Sequence, residues 1–182
     1  MFDGDYNITG IHATYLKYLV NDAKAFGRYI DVYMTAAVVG ALNDKRSETD
    51  SSTDRARIYA DAFSHEHDKC MEIFRTIILA ESSKDWNSDE RTNICFKYRD
   101  EKLINAPNEV PDEEITIMKE ALDLFNSYVR GGIEILYDTF FSASISLDDS
   151  IDYAYKTVFD HNTKLESSDG SIDIGQLFKP EY

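Results

Sequence analysis

The sequence predicts an all-α fold, a bundle of about five long, mostly antiparallel amphipathic helices with an extended C-terminal tail. Three observations carry that reading. Apolar residues recur at alternating three- and four-residue steps over long stretches, the spacing that lines up one face of a helix. Only eight Gly and three Pro occur in 182 residues, few of them inside those stretches, so helix breakers are scarce. Hydrophobic residues make up 43% of the chain and aromatic residues 13%, enough to fill one core without disulfides or a structural metal.

The first helix is expected over about residues 10–43, where Leu16, Leu19, Ala23, Phe26, Ile30, Tyr33, Ala37 and Gly40 form a coiled-coil-like seam. The polar stretch 44–52 (DKRSETDSS) has no periodicity and reads as a loop. A second helix over about residues 53–80 carries Tyr59, Phe63, Cys70, Ile73, Phe74, Ile77 and Ile78 on one stripe, and the short connection favours a helical hairpin with the first.

Asn87 and Glu90 have capping-box spacing and start a shorter helix over about residues 88–102. Pro111, followed by Asp112, Glu113 and Glu114, announces a further long helix to about residue 141. Met118, Leu122, Phe125, Val129, Gly132 and Leu136 form its seam, so it pairs centrally with the first helix. Gly40 and Gly132 both lie on seams, where glycine costs about 1 kcal/mol relative to alanine, so a packing reason is expected, a close backbone crossing being one. A last helix is expected over about residues 147–161. The bundle domain then spans residues 1–163, and residues 164–182 form the acidic and apolar tail.

The balance of 34 acidic against 19 basic residues gives a net charge of −15, which repels phosphate backbones and anionic headgroups. Direct binding to nucleic acid or membranes is therefore disfavoured. The sequence opens without a secretory signal pattern and has only two cysteines, Cys70 and Cys95, so a reducing cytoplasm is the expected home. No apolar run approaches the roughly 20 residues that span a bilayer.

The His65-Glu66-His67 triplet invites a metal reading, but residues two apart on a helix point about 200° apart. A weak candidate metal set is Asp61, His65, Asp68 and Glu72, gathered on one helix face by spacing; a solvated polar face is the commoner outcome of such a pattern. Glu66 and His67 flank the apolar stripe, where one of them needs a partner, and Arg28 and Asp31 of the first helix are available to supply it. Cys70 sits on the apolar stripe and reads as a buried, inert thiol. The chain contains no Glu-x-x-His motif, P-loop, Gly-x-Ser-x-Gly or Cys-x-x-Cys, so no catalytic residue and no cofactor is assigned.

These observations favour a non-enzymatic helical protein-interaction module, an accessory or regulatory subunit of a larger bacterial assembly or a homodimer. Twelve Tyr offer interface area with a polar handle. Ile172, Ile174, Leu177, Phe178 and Tyr182 in the tail are the candidate partner-binding residues. Two rivals remain: an acidic nucleic-acid mimic that inhibits a DNA-binding protein, which needs rows of carboxylates, and a metal-dependent helical-bundle enzyme.

Overall fold

A computed structural model of the chain describes residue 2, residues 4–97 and residues 112–142. The expected last helix, the tail with its five candidate residues, and the domain boundary at 163 all lie outside the described residues. Within them the chain is mostly helical, with six helices and one two-stranded sheet.

The sheet corrects the all-α expectation. Strand β1 (Tyr6–Thr9) pairs antiparallel with β2 (Arg55–Ile58), Tyr6 facing Ile58 and Thr9 facing Arg55. Along β2 the side chains alternate, Ala56 and Ile58 buried against the core and Arg55 and Arg57 exposed. Four residues are too few to separate this two-residue period from a helical one, and the pairing depends on a partner some fifty positions earlier. Residues 55–58 are consequently strand and not the opening turn of the second expected helix.

Helix α1 (Ile11–Lys17) starts at Gly10, whose φ of 65° lies in the left-handed region. A Cβ there would strike the Asp50 side chain, which occupies that space to accept the Ile11 amide at 2.7 Å. Asp50 comes from the expected loop, so an aspartate remote in sequence satisfies a donor at the helix start. The Lys17 ammonium and Thr14 hydroxyl both bond the Asp54 carboxylate, tying the same loop to the far end of the helix.

The helix closes in a π turn, Tyr18–Asp22, with the Ala23 amide reaching the Tyr18 carbonyl at 2.8 Å. Lys24 adopts φ 51°, and helical geometry resumes only with α2 (Tyr29–Leu42). The first expected helix is thus two. Its seam ran unbroken through the sequence because Leu16 and Leu19 of one helix and Ile30 and Tyr33 of the next are buried in the same core.

The second expected helix is also divided, into α3 (Ala60–His65) and α4 (His67–Ala80), with Glu66 at φ −108° and ψ 17° between them. Helix α5 (Ser88–Thr92) begins with the expected capping box: Asn87 accepts the Glu90 amide at 2.9 Å, and Glu90 accepts the Asn87 amide at 2.8 Å. It continues into a second π turn, Asn93–Lys97. Helix α6 (Asp112–Ser142) follows the expected long span almost residue for residue.

The centre of the core is aromatic. The Phe125 ring lies 5.5 Å from that of Phe74, 5.9 Å from Tyr33 and 6.0 Å from Phe2, centroid to centroid. Tyr33 is fully enclosed and donates its hydroxyl proton to Asn126 Oδ1 at 2.9 Å, so the buried hydroxyl and the buried amide oxygen satisfy each other. Helices α2 and α6 meet where both are glycine. A methyl on Gly40 would fall onto the Tyr128 carbonyl, and one on Gly132 onto the Ala36 carbonyl. The expected close backbone crossing is present.

Among the described residues no helix is long and apolar enough to cross a membrane.

Candidate functional site

Apolar side chains of α2 and α4 line a cleft of about 660 Å³ between the two helices. Val38, Ala41 and Leu42 line it from α2, and Ile73, Thr76, Ile77 and Ala80 from α4. Val38 is 38% exposed and Leu42 58%, large values for branched aliphatic residues on helices that bury so much elsewhere. The reason lies in the sequence of α2, which is apolar around almost its whole circumference (YIDVYMTAAVVGAL) and therefore has more apolar surface than one core can cover.

One end of the cleft is polar, built from Asp44 after α2, from Glu81, Ser82 and Ser83 after α4, and from Tyr128 of α6. Glu81 is only 6% exposed. It accepts the Tyr128 hydroxyl at 2.6 Å and the Ser83 amide at 2.6 Å. Burial pushes the Glu81 carboxyl up, but the Tyr128 and Ser83 bonds outweigh it and hold the group below the ordinary carboxylate range. The same arrangement, burial first and the neighbouring carboxylate second, drives the Tyr128 hydroxyl well above its usual value.

Asp44 Oδ1 lies 3.3 Å from that Tyr128 hydroxyl. A phenol has one proton, and the shorter bond takes it to Glu81, so Tyr128 leaves Asp44 without a donor. Arg46 stands behind the end of the cleft, its guanidinium 5.5 Å from the Tyr128 ring centroid and 3.7 Å from Asp44. Among the described residues the cleft is lined by three carboxylates, Asp44, Glu72 and Glu81, and by no lysine or arginine.

Of the four candidate metal residues only Glu72 lines this cleft. Asp61 and His65 belong to α3, whereas Asp68 and Glu72 belong to α4, and the break at Glu66 removes the continuous face on which their spacing was counted. No three His, Cys, Asp or Glu side chains among the described residues are grouped to hold a metal ion. Glu72 instead lines the apolar cleft.

Glu66 takes the partner anticipated for it. Arg28 bonds Glu66 at 2.8 Å and Asp31 at 2.6 Å, and Lys69 reaches Glu66 at 2.7 Å, so the break between α3 and α4 is clamped to the start of α2. Lys69 first and Arg28 second hold the Glu66 carboxyl down to about 2. Its folded value lies below the ordinary 4.5, so its contribution to stability is full above pH 4.5 and lost as pH falls towards 2. Glu66→Gln is therefore expected to lower the melting temperature at pH 7, with the deficit closing in strong acid; a deficit that does not vary with pH would remove the ionic clamp.

Both thiols are buried and free, and burial pushes each up to about 11, which suits inert packing and not nucleophilic work. His12 is 3% exposed and bonds Glu134 at 2.9 Å through Nε2, while Lys45 holds the other Glu134 oxygen at 3.1 Å. With the carboxylate accepting, Nε2 carries the proton, and Nδ1 is buried without a partner among the described residues. Tyr15 stacks on Tyr137, and Tyr18 meets the same Tyr137 ring edge-on, so these three tyrosines serve packing within the chain.

No signal in the sequence singled out the cleft, since it joins the flanks of two stripes with residues from two loops and a distant helix. No family model, no curated protein and no solved structure matches the chain.

Proposed function

We propose that the chain is a non-enzymatic helical protein-interaction module, an accessory or regulatory subunit that receives an apolar helical segment of another protein in the α2–α4 cleft. The observation that carries this reading is the exposure of Val38 and Leu42 opposite Ile73, an apolar trough open to solvent between two helices. A trough flanked by helices is the shape into which a third amphipathic helix lays its apolar face. The two buried free thiols suit the reducing cytoplasm.

The mimic reading has less support. Asp5, Asp31, Asp54, Glu66 and Glu134 each pair with a lysine or arginine, which takes these five out of any row of free carboxylates.

A fluorescently labelled helical peptide with leucines at heptad spacing supplies the test, read by anisotropy against the full chain. Leu42→Asp is expected to weaken binding at least tenfold, about 1.4 kcal/mol, without changing the melting temperature, because the Leu42 side chain is mostly exposed. A peptide of the same composition with the stripe scrambled should not bind. Equal binding of the two peptides would sink the proposal.

A further inference from the structure

We infer that the occupant of the cleft is an amphipathic helix with a lysine or arginine seated at the Asp44–Glu81–Tyr128 end. This rests on the reading of the cleft as a docking site and adds what that site selects.

The argument is one of charge complementarity. An apolar trough discriminates poorly among partners, because leucine-rich faces resemble one another and one methylene more or less changes little. Fixed charge at one end changes that. Glu81 is nearly enclosed and keeps its carboxylate through the Tyr128 and Ser83 bonds, so the end of the cleft is negative at neutral pH. Asp44 projects beside it, with 77% of its side chain exposed and the shared hydroxyl proton already committed to Glu81.

Asp44 is also held in the left-handed backbone region, φ 45°, which sets the direction of its Cα–Cβ bond just after the end of α2. Glu72 adds a third negative group along the α4 wall. Arg46 holds Asp44 from outside the lining, at 3.7 Å, so a cationic side chain entering from the trough shares Asp44 with it and finds Glu81 and Glu72 with no lysine or arginine among the lining residues. An acidic or phosphorylated segment would instead bring like charge against an enclosed carboxylate. The same acidic end repels anionic lipid headgroups, which favours a protein segment as the occupant over a membrane surface.

The test uses the full chain and four helical peptides, measured by anisotropy at concentrations up to millimolar and at two salt levels. Three share one leucine stripe and carry lysine, glutamine or glutamate at one end; the fourth keeps the lysine but has the stripe scrambled. The lysine peptide is expected to bind at least tenfold more tightly than the glutamine peptide and more weakly in high salt, with the glutamate peptide weakest. In an Asp44→Asn, Glu72→Gln double variant the lysine preference should shrink several-fold while the glutamine peptide binds as before.

Lysine and glutamine peptides binding alike would overturn the charge selection and leave the docking reading standing. Tight binding of the scrambled lysine peptide would overturn both, since net charge alone would then explain capture. Absence of binding by all four peptides would also overturn both. Concentration-dependent self-association of the chain abolished by Leu42→Asp would assign the cleft to a second copy and overturn the inference.

Discussion

Gly132→Ala is expected to destabilise the fold by at least about 2 kcal/mol, although alanine is the better helix former. Propensity alone favours the substitution by about 1 kcal/mol. Against it stands the Ala36 carbonyl of α2, which occupies the place of the new methyl. A backbone carbonyl cannot rotate away as a side chain would, so α2 and α6 must separate along the crossing, and overpacking of this kind costs about 1–3 kcal/mol and occasionally more. Gly40→Ala meets the Tyr128 carbonyl on the other side of the same contact.

Because either methyl forces the same separation, the double variant should lose less than the sum of the two single losses. Urea denaturation of the three variants measures this. Gly4→Ala serves as the control: nothing lies within 4 Å of its added Cβ, and it should change stability by less than about 0.5 kcal/mol. A Gly132→Ala midpoint at or above that of the native chain would refute the crossing.

Phe125→Ala should have a still larger effect, about 3–5 kcal/mol. Its ring is nearly wholly enclosed and touches three other aromatic rings, from α2, from α4 and from Phe2. Those neighbours are themselves anchored, Tyr33 by its bond to Asn126, so the cavity has little room to collapse. Against a total stability of about 5–15 kcal/mol for a domain, such a loss leaves a small margin. Phe125→Leu should retain more than half of what alanine loses. An alanine variant that costs less than about 1 kcal/mol in the same urea assay would show that these rings are not the centre of the core.

The legible parts of the fold are those set by nearby residues. Pro111 and the three acids after it marked the start of α6, and Asn87 with Glu90 marked that of α5, because a helix start is chemistry within one turn of the chain. Gly40 and Gly132 announced their crossing because glycine on an apolar seam contradicts propensity and so demands a spatial reason.

The misread parts depend on distant residues. β1 and β2 are each four residues long and exist through one another. The breaks at residues 23–28 and at Glu66 fall where the hydrophobic period is continuous, since both flanking helices feed one core. Sequence offered Arg28 and Asp31 as partners for Glu66 or His67, of which the Arg28–Glu66 pair forms, but it did not find the cleft. Its apolar walls look like the margins of ordinary core stripes, and its acidic end is assembled only when Tyr128 arrives beside Glu81.

That late arrival bears on how the protein is made. Tyr33 meets a partner 93 positions further along the chain, and the glycine crossing joins the same two helices. A chain emerging from its N-terminus completes α2 well before α6 exists to cover it. During that interval the face of α2 that meets α6 stays uncovered, although α1, β2 and α4 are already available to it, and contacts so distant in sequence are slow to form. Within the described residues, α2 is thus an element whose burial is completed only when α6 has emerged.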